Sequence, residues 1–546
     1  MAATLTLGID VSTQSISAAV LDPEARPVRK VADLSLPYRD DPRLNRFGIQ
    51  HDSLLVPPRV GGEADQPPEM FLAGLDAILA DLRAAGVDLG RVGAISVSAQ
   101  QHGHVYLSEE GLRAIEGLQE KGGAAGATGP DLAARFSGAF AYGTAPIWQT
   151  ADSQPQADEI RSFLGGTGRT VALSGSDSPA RFSGAVMRRT ARRYPEAWER
   201  TAQVALLSSF FSGLLAGNRA CPIDWGNGSG MSLMDYRQRR WSPELLEAAS
   251  QGLPGGAGAM KAKLPGLDTP VALAGRVARY FQDRYGFSPE CLVNIGSGDN
   301  PQSKVMIDGD LLSLGTSFVY MVDTGKPLVD EQGYANSMYD GIGRAFIFAC
   351  RTNGAMVWDR VRKSFGADLE RAEAALSGAA AVAPGSVVEI WQPYAESYPV
   401  APPVDNERAR TGQGDFASIY AGIVDSALVL MRHYARGFER GHDAGPLALT
   451  GGPARSPGIC ARVAAIFERP VIVLESSGAA LGAALSAWQT LCNEGGNGEG
   501  QAREAELSRI RAELVPPGEP VQPDPAAREA YRDASPRIVE ALERGI

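Results

Sequence analysis

Apolar and polar positions alternate over residues 5–22 in two short runs, divided by the polar stretch Asp10-Val11-Ser12-Thr13-Gln14. Period-two alternation on both sides of such a stretch predicts two strands and a turn. The period lengthens to that of an amphipathic helix over about 70–84, and a further strand is expected at 92–98. A second strand–turn–strand pattern appears at 310–322, in Leu311-Leu312-Ser313-Leu314-Gly315-Thr316-Ser317-Phe318-Val319-Tyr320. Leu7-Gly8-Ile9-Asp10 and Leu314-Gly315-Thr316-Ser317 both set glycine and a polar tip after an apolar strand. Two such units far apart suggest a duplicated domain with a cleft between the copies. A coincidental pair of hairpins is the competing reading.

Elsewhere the pattern predicts helix over 178–217, with Arg188, Arg189, Arg192 and Arg193 on a solvated face rather than in an anion site. The Gly/Ala-rich stretch 117–137 has little periodicity and is expected to be a surface excursion. Toward the C-terminus come a helix at 417–436, a strand at 446–450, a helix at 458–467, a strand at 471–474 and a small-residue helix at 478–488. Residues 493–503 are rich in Gly, Glu and Asn and have linker composition, and 525–546 form a charged, helix-like tail.

At 546 residues the chain is too long for one ordinary core, so two domains are expected. Hydrophobic residues make up 44% and charged residues 21%, a globular composition. A net charge of −11 argues against nucleic acid or an anionic membrane as partner, which would need a basic face. The first residues carry neither the basic nor the long apolar region of a secretory signal, and no long apolar run exists to span a membrane. Five scattered cysteines without a C-x-x-C pair make a disulfide framework or a zinc site unexpected. A cytoplasmic location is expected; the oligomeric state is left open.

Four turns carry candidate chemistry: 8–14, 296–300, 315–317 and 451–456, each beside an apolar strand-like run. Glycine lets the backbone approach a phosphate closely, and Ser or Thr adds a hydroxyl donor. Neither a G-x-x-x-x-G-K-[ST] nor a G-x-G-x-x-G string stands in these turns, so those two nucleotide folds lose support. Glycine turns after strands are ordinary when taken singly.

Together with the strings Ser98-Ala99-Gln100-Gln101-His102-Gly103, Ala180-Arg181-Phe182-Ser183-Gly184, Asp224-Trp225-Gly226-Asn227-Gly228-Ser229-Gly230-Met231, Gly298-Asp299-Asn300-Pro301 and Ser313-Leu314-Gly315-Thr316-Ser317, the turns resemble the FGGY family of carbohydrate kinases, in its longer, eukaryote-like form. The resemblance runs from about residue 5 to 487. It implies an α/β fold of two ribonuclease-H-like, actin-like ATPase domains flanking a catalytic cleft. Residues 1–297 would form the sugar side, 298–492 the nucleotide side, and 493–546 a linker and helical tail. It also implies phosphoryl transfer from ATP, with Mg²⁺, to a hydroxyl of a small ketose, D-xylulose foremost.

By that resemblance Asp299 is the catalytic base that takes the proton of the attacking hydroxyl; on spacing alone, Asp-Asn-Pro also fits an Asx turn. Asp10 corresponds to the metal-associated carboxylate, with Thr13 and Gln14 lining the same phosphate loop. Gln101, His102, Arg181 and Asn300 would contact the sugar. Gly315, Thr316 and Ser317 resemble the second phosphate loop, and Gly451, Gly452, Pro453 and Ser456 the adenosine loop. There the family usually has Gly-Gly-Ala or Gly-Gly-Gly followed by Asn where Ser456 stands, and Pro453 lacks an N–H. The alanines of 479–484 would let a helix pack behind the base, and structural packing explains them equally well. Competing expectations are a ribulose, glycerol or gluconate kinase, an actin-like ATPase without a sugar site, and a pseudokinase.

Overall fold

The computed structural model describes residues 5–120, 129–439, 445–475, 478–495 and 501–545. The chain forms two compact units. The first comprises Met1–Met306, Met338–Ala345 and Ser477–Leu514; the second comprises Ile307–Ser337, Phe346–Ser476 and Val515–Ile546. Residues 298–306 and 478–492, expected above on the nucleotide side, group with the first unit.

In the first unit Leu5–Val11 (β1) pairs antiparallel with Ser15–Asp22 (β2), and β2 antiparallel with Arg29–Pro37 (β3). On its other edge β1 pairs in parallel with Val92–Ala99 (β4), and β4 in parallel with Leu292–Asn294 (β5). The second unit repeats this scheme. Leu311–Leu314 (β6) pairs antiparallel with Phe318–Asp323 (β7), and β7 antiparallel with Ala345–Arg351 (β8). Across β6, Leu447–Thr450 (β9) and then Val471–Val473 (β10) add in parallel. Over these five strands order and direction match in the two sheets, which favours a duplication over two unrelated hairpins.

Helices cover the sheets as the apolar periodicity requires. Pro68–Ala84 (α1) starts with proline at its first position, where a missing N–H costs nothing, and buries Met70, Phe71, Leu72, Leu75, Ile78 and Leu79. Ala479–Glu494 (α6) packs on β1 and β4. A Cβ at Gly8 would lie 1.9 Å from the Ala480 carbonyl oxygen, and one at Gly482 would lie 1.8 Å from that of Gln302. The small residues of α6 thus serve packing against the first unit's sheet and the helix Asp299–Val305 (α3). In the second unit Phe416–Ala435 (α4), Pro457–Phe467 (α5) and Pro525–Arg544 (α8) share one core with the sheet.

Several expectations are corrected. The stretch 178–217 is not one helix: Ser183–Arg193 (α2) ends before Pro195, which opens a short helix, followed by strand Gln203–Leu206 and helix Leu207–Ala216. The residue before a proline is driven out of the helical region, as the Tyr194 φ of −128° shows. Arg188 and Arg189, expected in solvent, are 2% and 1% exposed. Arg188 donates to Glu159 at 2.8 Å and to the carbonyls of Ala249 and Gln251, while Arg189 meets Glu63 at 3.1 Å. Burial of a guanidinium is tolerable only with such partners. Within 117–137, residues 121–128 lie outside the described residues; Asp131 caps a helical turn, Leu132–Arg135, that buries Leu132 and, just beyond it, Phe136. Each such side chain contributes about 1.5–3 kcal/mol by leaving water, so this part is core rather than excursion. From Gln501 to Leu514 the composition-based linker gives way to a helix (α7). No helix among the described residues is long and apolar enough to cross a membrane.

Candidate functional site

In the first unit the ends of β1 and β4 and the start of α3 bring together residues nearly 300 positions apart. Asp10 lies beside Ser98 in the β1–β4 register, and Ser98 Oγ donates to Asp10 Oδ1 at 2.6 Å. Burial pushes the Asp10 carboxyl up to about 6, against the pull of that hydrogen bond. Asp299 opens α3 directly after Ser297–Gly298, which pairs with the end of β4. Its Oδ1 accepts the Asn300 N–H at 2.8 Å and Asn300 Nδ2 at 3.1 Å. Burial first, and then the neighbouring Asp10 charge, push Asp299 up to about 7, opposed by backbone amides of Asn300 and Gln101. Asp299 forms no Asx turn, because Pro301 two residues on has no N–H; its bonds to the neighbouring Asn300 coexist with a carboxylate able to exchange a proton near neutrality.

Beyond β4, Gln101 is buried and its Oε1 accepts Asn300 Nδ2 at 3.2 Å. His102 adopts a left-handed backbone, φ 67°, held by bonds to its carbonyl from His104 Nδ1 at 2.8 Å and Ser183 Oγ at 3.3 Å. Its ring stacks on Phe182 with centroids 4.6 Å apart, and Nδ1 lies 2.9 Å from the Gly230 carbonyl oxygen. A carbonyl only accepts, so Nδ1 carries the proton and Nε2 presents a lone pair. Burial, then the Arg181 charge, hold this imidazole down at about 3, so it is neutral at physiological pH. Arg181 sits in the turn before α2, 5.9 Å from the Phe182 ring centre. A Cβ at Gly230 would lie 2.7 Å from His102 Cε1, which explains glycine there.

The string 224–231 supports these groups from behind. Asp224 accepts Ser297 Oγ at 2.5 Å, the Asn227 N–H at 3.0 Å and Asn227 Nδ2 at 2.7 Å, which ties the chain just before Asp299 to the loop that holds His102. Thr13 is differently employed than expected. Its hydroxyl donates to Gln100 Oε1 and accepts from Trp148 Nε1, both at 2.9 Å. Gln14 is exposed at the tip, its carbonyl accepting the Tyr38 N–H. Trp148 itself, 45% exposed yet fixed by Thr13, is a candidate contact that the sequence did not reveal. An isolated tryptophan carries no spacing signal.

In the second unit the β6–β7 turn and the loop after β9 line one cavity of about 880 Å³. Gly315, Thr316, Gly452, Pro453 and Ser456 are in its wall; Ser317 and Gly451 are not. Gly451 has φ 101°, and a Cβ there would lie 2.3 Å from the Leu314 carbonyl oxygen, so it allows β6 and the loop to touch. Pro453 occupies the first turn of the 3-10 helix Gly452–Arg455, where a missing N–H is tolerated. Ser456 caps α5 by accepting the Ile459 N–H at 3.1 Å and donates to Glu373. Among the described residues no group of three or more His, Cys, Asp or Glu could by itself hold a metal ion.

The profile of the FGGY family of carbohydrate kinases, C-terminal domain, matches residues 311–490. A xylulose kinase of Rattus norvegicus is 27% identical over 98% of this chain and 96% of that protein. A probable D-xylulose kinase A of Aspergillus flavus is 30% identical, the match covering 66% of this chain and 60% of that protein's length. The crystal structure of a xylulose kinase from Rhodospirillum rubrum superposes with a TM-score of 0.75 at 18% identity, covering 99% of this chain and 98% of that one. The two repeated sheets are accordingly ribonuclease-H-like domains of the actin-like ATPase type, and the chain belongs to the FGGY family of carbohydrate kinases.

Proposed function

We propose that the protein transfers the γ-phosphoryl group of ATP to a ketose, D-xylulose in the first place, giving D-xylulose 5-phosphate. The observation that carries this reading is Asp299: a carboxylate pushed up to about 7 and hydrogen-bonded by Asn300, whose side-chain amide also reaches Gln101. A general base works best with a pKa near the working pH. Asp299 takes the proton of the attacking hydroxyl, late in a loose transition state. His102 Nε2 accepts a hydrogen bond from a second sugar hydroxyl, while Arg181, Gln101 and Asn300 complete the polar contacts. Trp148 offers the apolar face that a sugar ring or chain packs against.

Gly315, Thr316 and Gly452 line the part of the second unit's cavity suited to phosphates, and its apolar wall suits a base. Magnesium bound to ATP needs few protein ligands and keeps several waters, so the single carboxylate of Asp10, with Oδ1 bonded to Ser98, fits that role. When bound, the ion neutralises charge on the phosphate oxygens. Xylulose is favoured by the relatives' names and by the Gln101-His102 pair. The test is an ADP-release assay over pentuloses, hexuloses and polyols. The highest kcat/KM is expected with D-xylulose; a higher value with ribulose, glycerol or gluconate, or release without any acceptor, overturns the substrate assignment.

A further inference from the structure

Asp224 lies behind the site of the first unit rather than in it. It caps the short helix Trp225–Ser229, its Oδ2 accepting the Asn227 N–H at 3.0 Å. A helix cap needs no more than that one bond. Asp224 accepts two others: Ser297 Oγ at 2.5 Å on Oδ2, and Asn227 Nδ2 at 2.7 Å on Oδ1. Both oxygens are spent inside the protein and the residue is fully buried, so this carboxylate serves its neighbours and not a ligand.

The bonds lead in two directions. Ser297 pairs with Ser98 in β4 and is followed by Gly298 and then Asp299, the first residue of α3. A Cβ at Gly298 would lie 2.9 Å from Asn227 Oδ1 and 3.2 Å from Gln101 Cγ, so the chain entering the base lies directly against both. In the other direction Asn227 is clamped by Asp224 and by Ser208 Oγ, to which its Nδ2 donates at 2.8 Å. The Asn227 carbonyl accepts the Gly230 N–H at 2.9 Å, and the Gly230 carbonyl accepts His102 Nδ1 at 2.9 Å. One carboxylate therefore reaches Asp299 through Ser297 and the His102 ring through Asn227.

We propose that Asp224 is a positioning residue that sets the separation of Asp299 from the His102 imidazole. The inference rests on the kinase reading, in which Asp299 takes the proton of one sugar hydroxyl while His102 accepts a bond from another. The sugar fixes those two hydroxyls relative to each other, so the two protein groups must keep a matching distance. A misplacement of about 1 Å from a change outside the chemistry lowers a rate by about 10²-fold. A carboxylate suits the task because it only accepts, and here it gathers a hydroxyl, a backbone N–H and an amide N–H on two oxygens.

The test is ADP release by the full chain at saturating ATP and magnesium, over a range of D-xylulose concentrations. Ser297→Ala breaks only the arm to Asp299 and leaves Asp224 both bonds from Asn227. Its kcat is expected to fall by about 10–10²-fold, with KM for D-xylulose within about threefold of the parent. Asn227→Ala loosens the other arm and should raise KM for D-xylulose by about 2–10-fold, with a smaller loss of kcat than Ser297→Ala. Asp224→Ala cuts both arms, so adding Ser297→Ala to it should lower kcat no further. Where Asp224→Ala does not fold, the opposite KM and kcat responses of the two single variants decide. A kcat for Ser297→Ala within about threefold of the parent overturns the inference, and so does a fully additive double variant. A parent that releases no ADP with any acceptor overturns the kinase reading, and this inference with it.

Discussion

Replacing Asp299 with Asn removes a charge that the fold holds at a cost, so the variant should be slower and more stable at once. Asp299 is pushed from 3.8 to about 7 by burial and by Asp10. At about 1.4 kcal/mol per pKa unit, keeping it ionised in the folded protein costs on the order of 4 kcal/mol. Asn keeps the shape and can still accept the Asn300 N–H, so it recovers roughly 1–4 kcal/mol of this. The sign follows from the proton count. Below about pH 4 the carboxyl is protonated in folded and unfolded chains alike, and the variant gains nothing. As pH rises toward about 7 the unfolded chain releases its proton while the folded one retains it, so the parent loses stability over that window. Asp10, held at about 6, contributes a similar slope, but to both proteins.

Thermal unfolding followed across pH should therefore show Tm curves that coincide near pH 4 and separate until about pH 7, with the variant above. Turnover in the ADP-release assay should fall by about 10²–10⁴-fold, the range for a general base, and the parent's rise in kcat/KM through about pH 7 should vanish. Turnover within about threefold of the parent would refute the base assignment, since general acid–base groups contribute far more than that. A variant less stable than the parent at about pH 8 would refute the burial argument behind its pKa.

His102→Ala should raise KM for the sugar and leave KM for ATP unchanged, at a cost of about 0.5–1.5 kcal/mol for one lost hydrogen bond; a shift in the ATP parameter alone would misplace His102. Gly8→Ala puts a methyl 1.9 Å from the Ala480 carbonyl, and α6 must move away from β1. The loss should be at least about 1–3 kcal/mol, seen as a lower Tm or insoluble protein, and an unchanged Tm would contradict the packing. Tyr531→Phe removes a hydroxyl that donates to Asp425 at 2.8 Å and accepts from Arg462 at 3.0 Å. Stability should fall by about 1–3 kcal/mol with both KM values unchanged, and a shift in either KM would tie α8 to ligand binding.

The hairpins at 5–22 and 310–322 were legible because alternation, glycine and a polar tip are local properties, and both appear where the pattern places them. The buried Arg188 and Arg189 were not. A charge run implies solvent only when no partners are known, and Glu159, Glu63 and Gln251 come from distant stretches of chain. The helical turn at Leu132–Arg135 did leave a trace, an Asp131 cap followed by Leu132 and Phe136 one turn apart. The Gly/Ala-rich context hid it. At the site, residue types were visible and their employment was not. Thr13 and Ser456 are hydroxyls suited to phosphate by sequence, yet one is bonded to Gln100 and Trp148 and the other caps α5. His102's tautomer depends on Gly230, more than 100 residues away, and follows only from the fold.

The duplication explains why the same topological positions carry opposite chemistry. In each unit the first strand ends in a tight turn to its antiparallel neighbour, and the parallel strand beside it ends in a loop. In the first unit these positions hold Asp10 and the run Gln100–His102; in the second they hold Gly315–Ser317 and Gly451–Ser456. Both exit loops need a backbone with positive φ, His102 at 67° and Gly451 at 101°. A non-glycine residue in that conformation needs outside support, and His104 and Ser183 provide it through the His102 carbonyl. Gly451 needs none, and lets the loop come against β6 where a side chain would collide. The scaffold thus supplies two equivalent sets of strand ends. One carries the carboxyl of Asp10 and the buried imidazole of His102; the other has glycine turns, which suit a phosphate chain. On the proposed reading, this asymmetry of side chains within one repeated topology would give the first unit's strand ends the sugar and the second unit's glycine turns the phosphate chain.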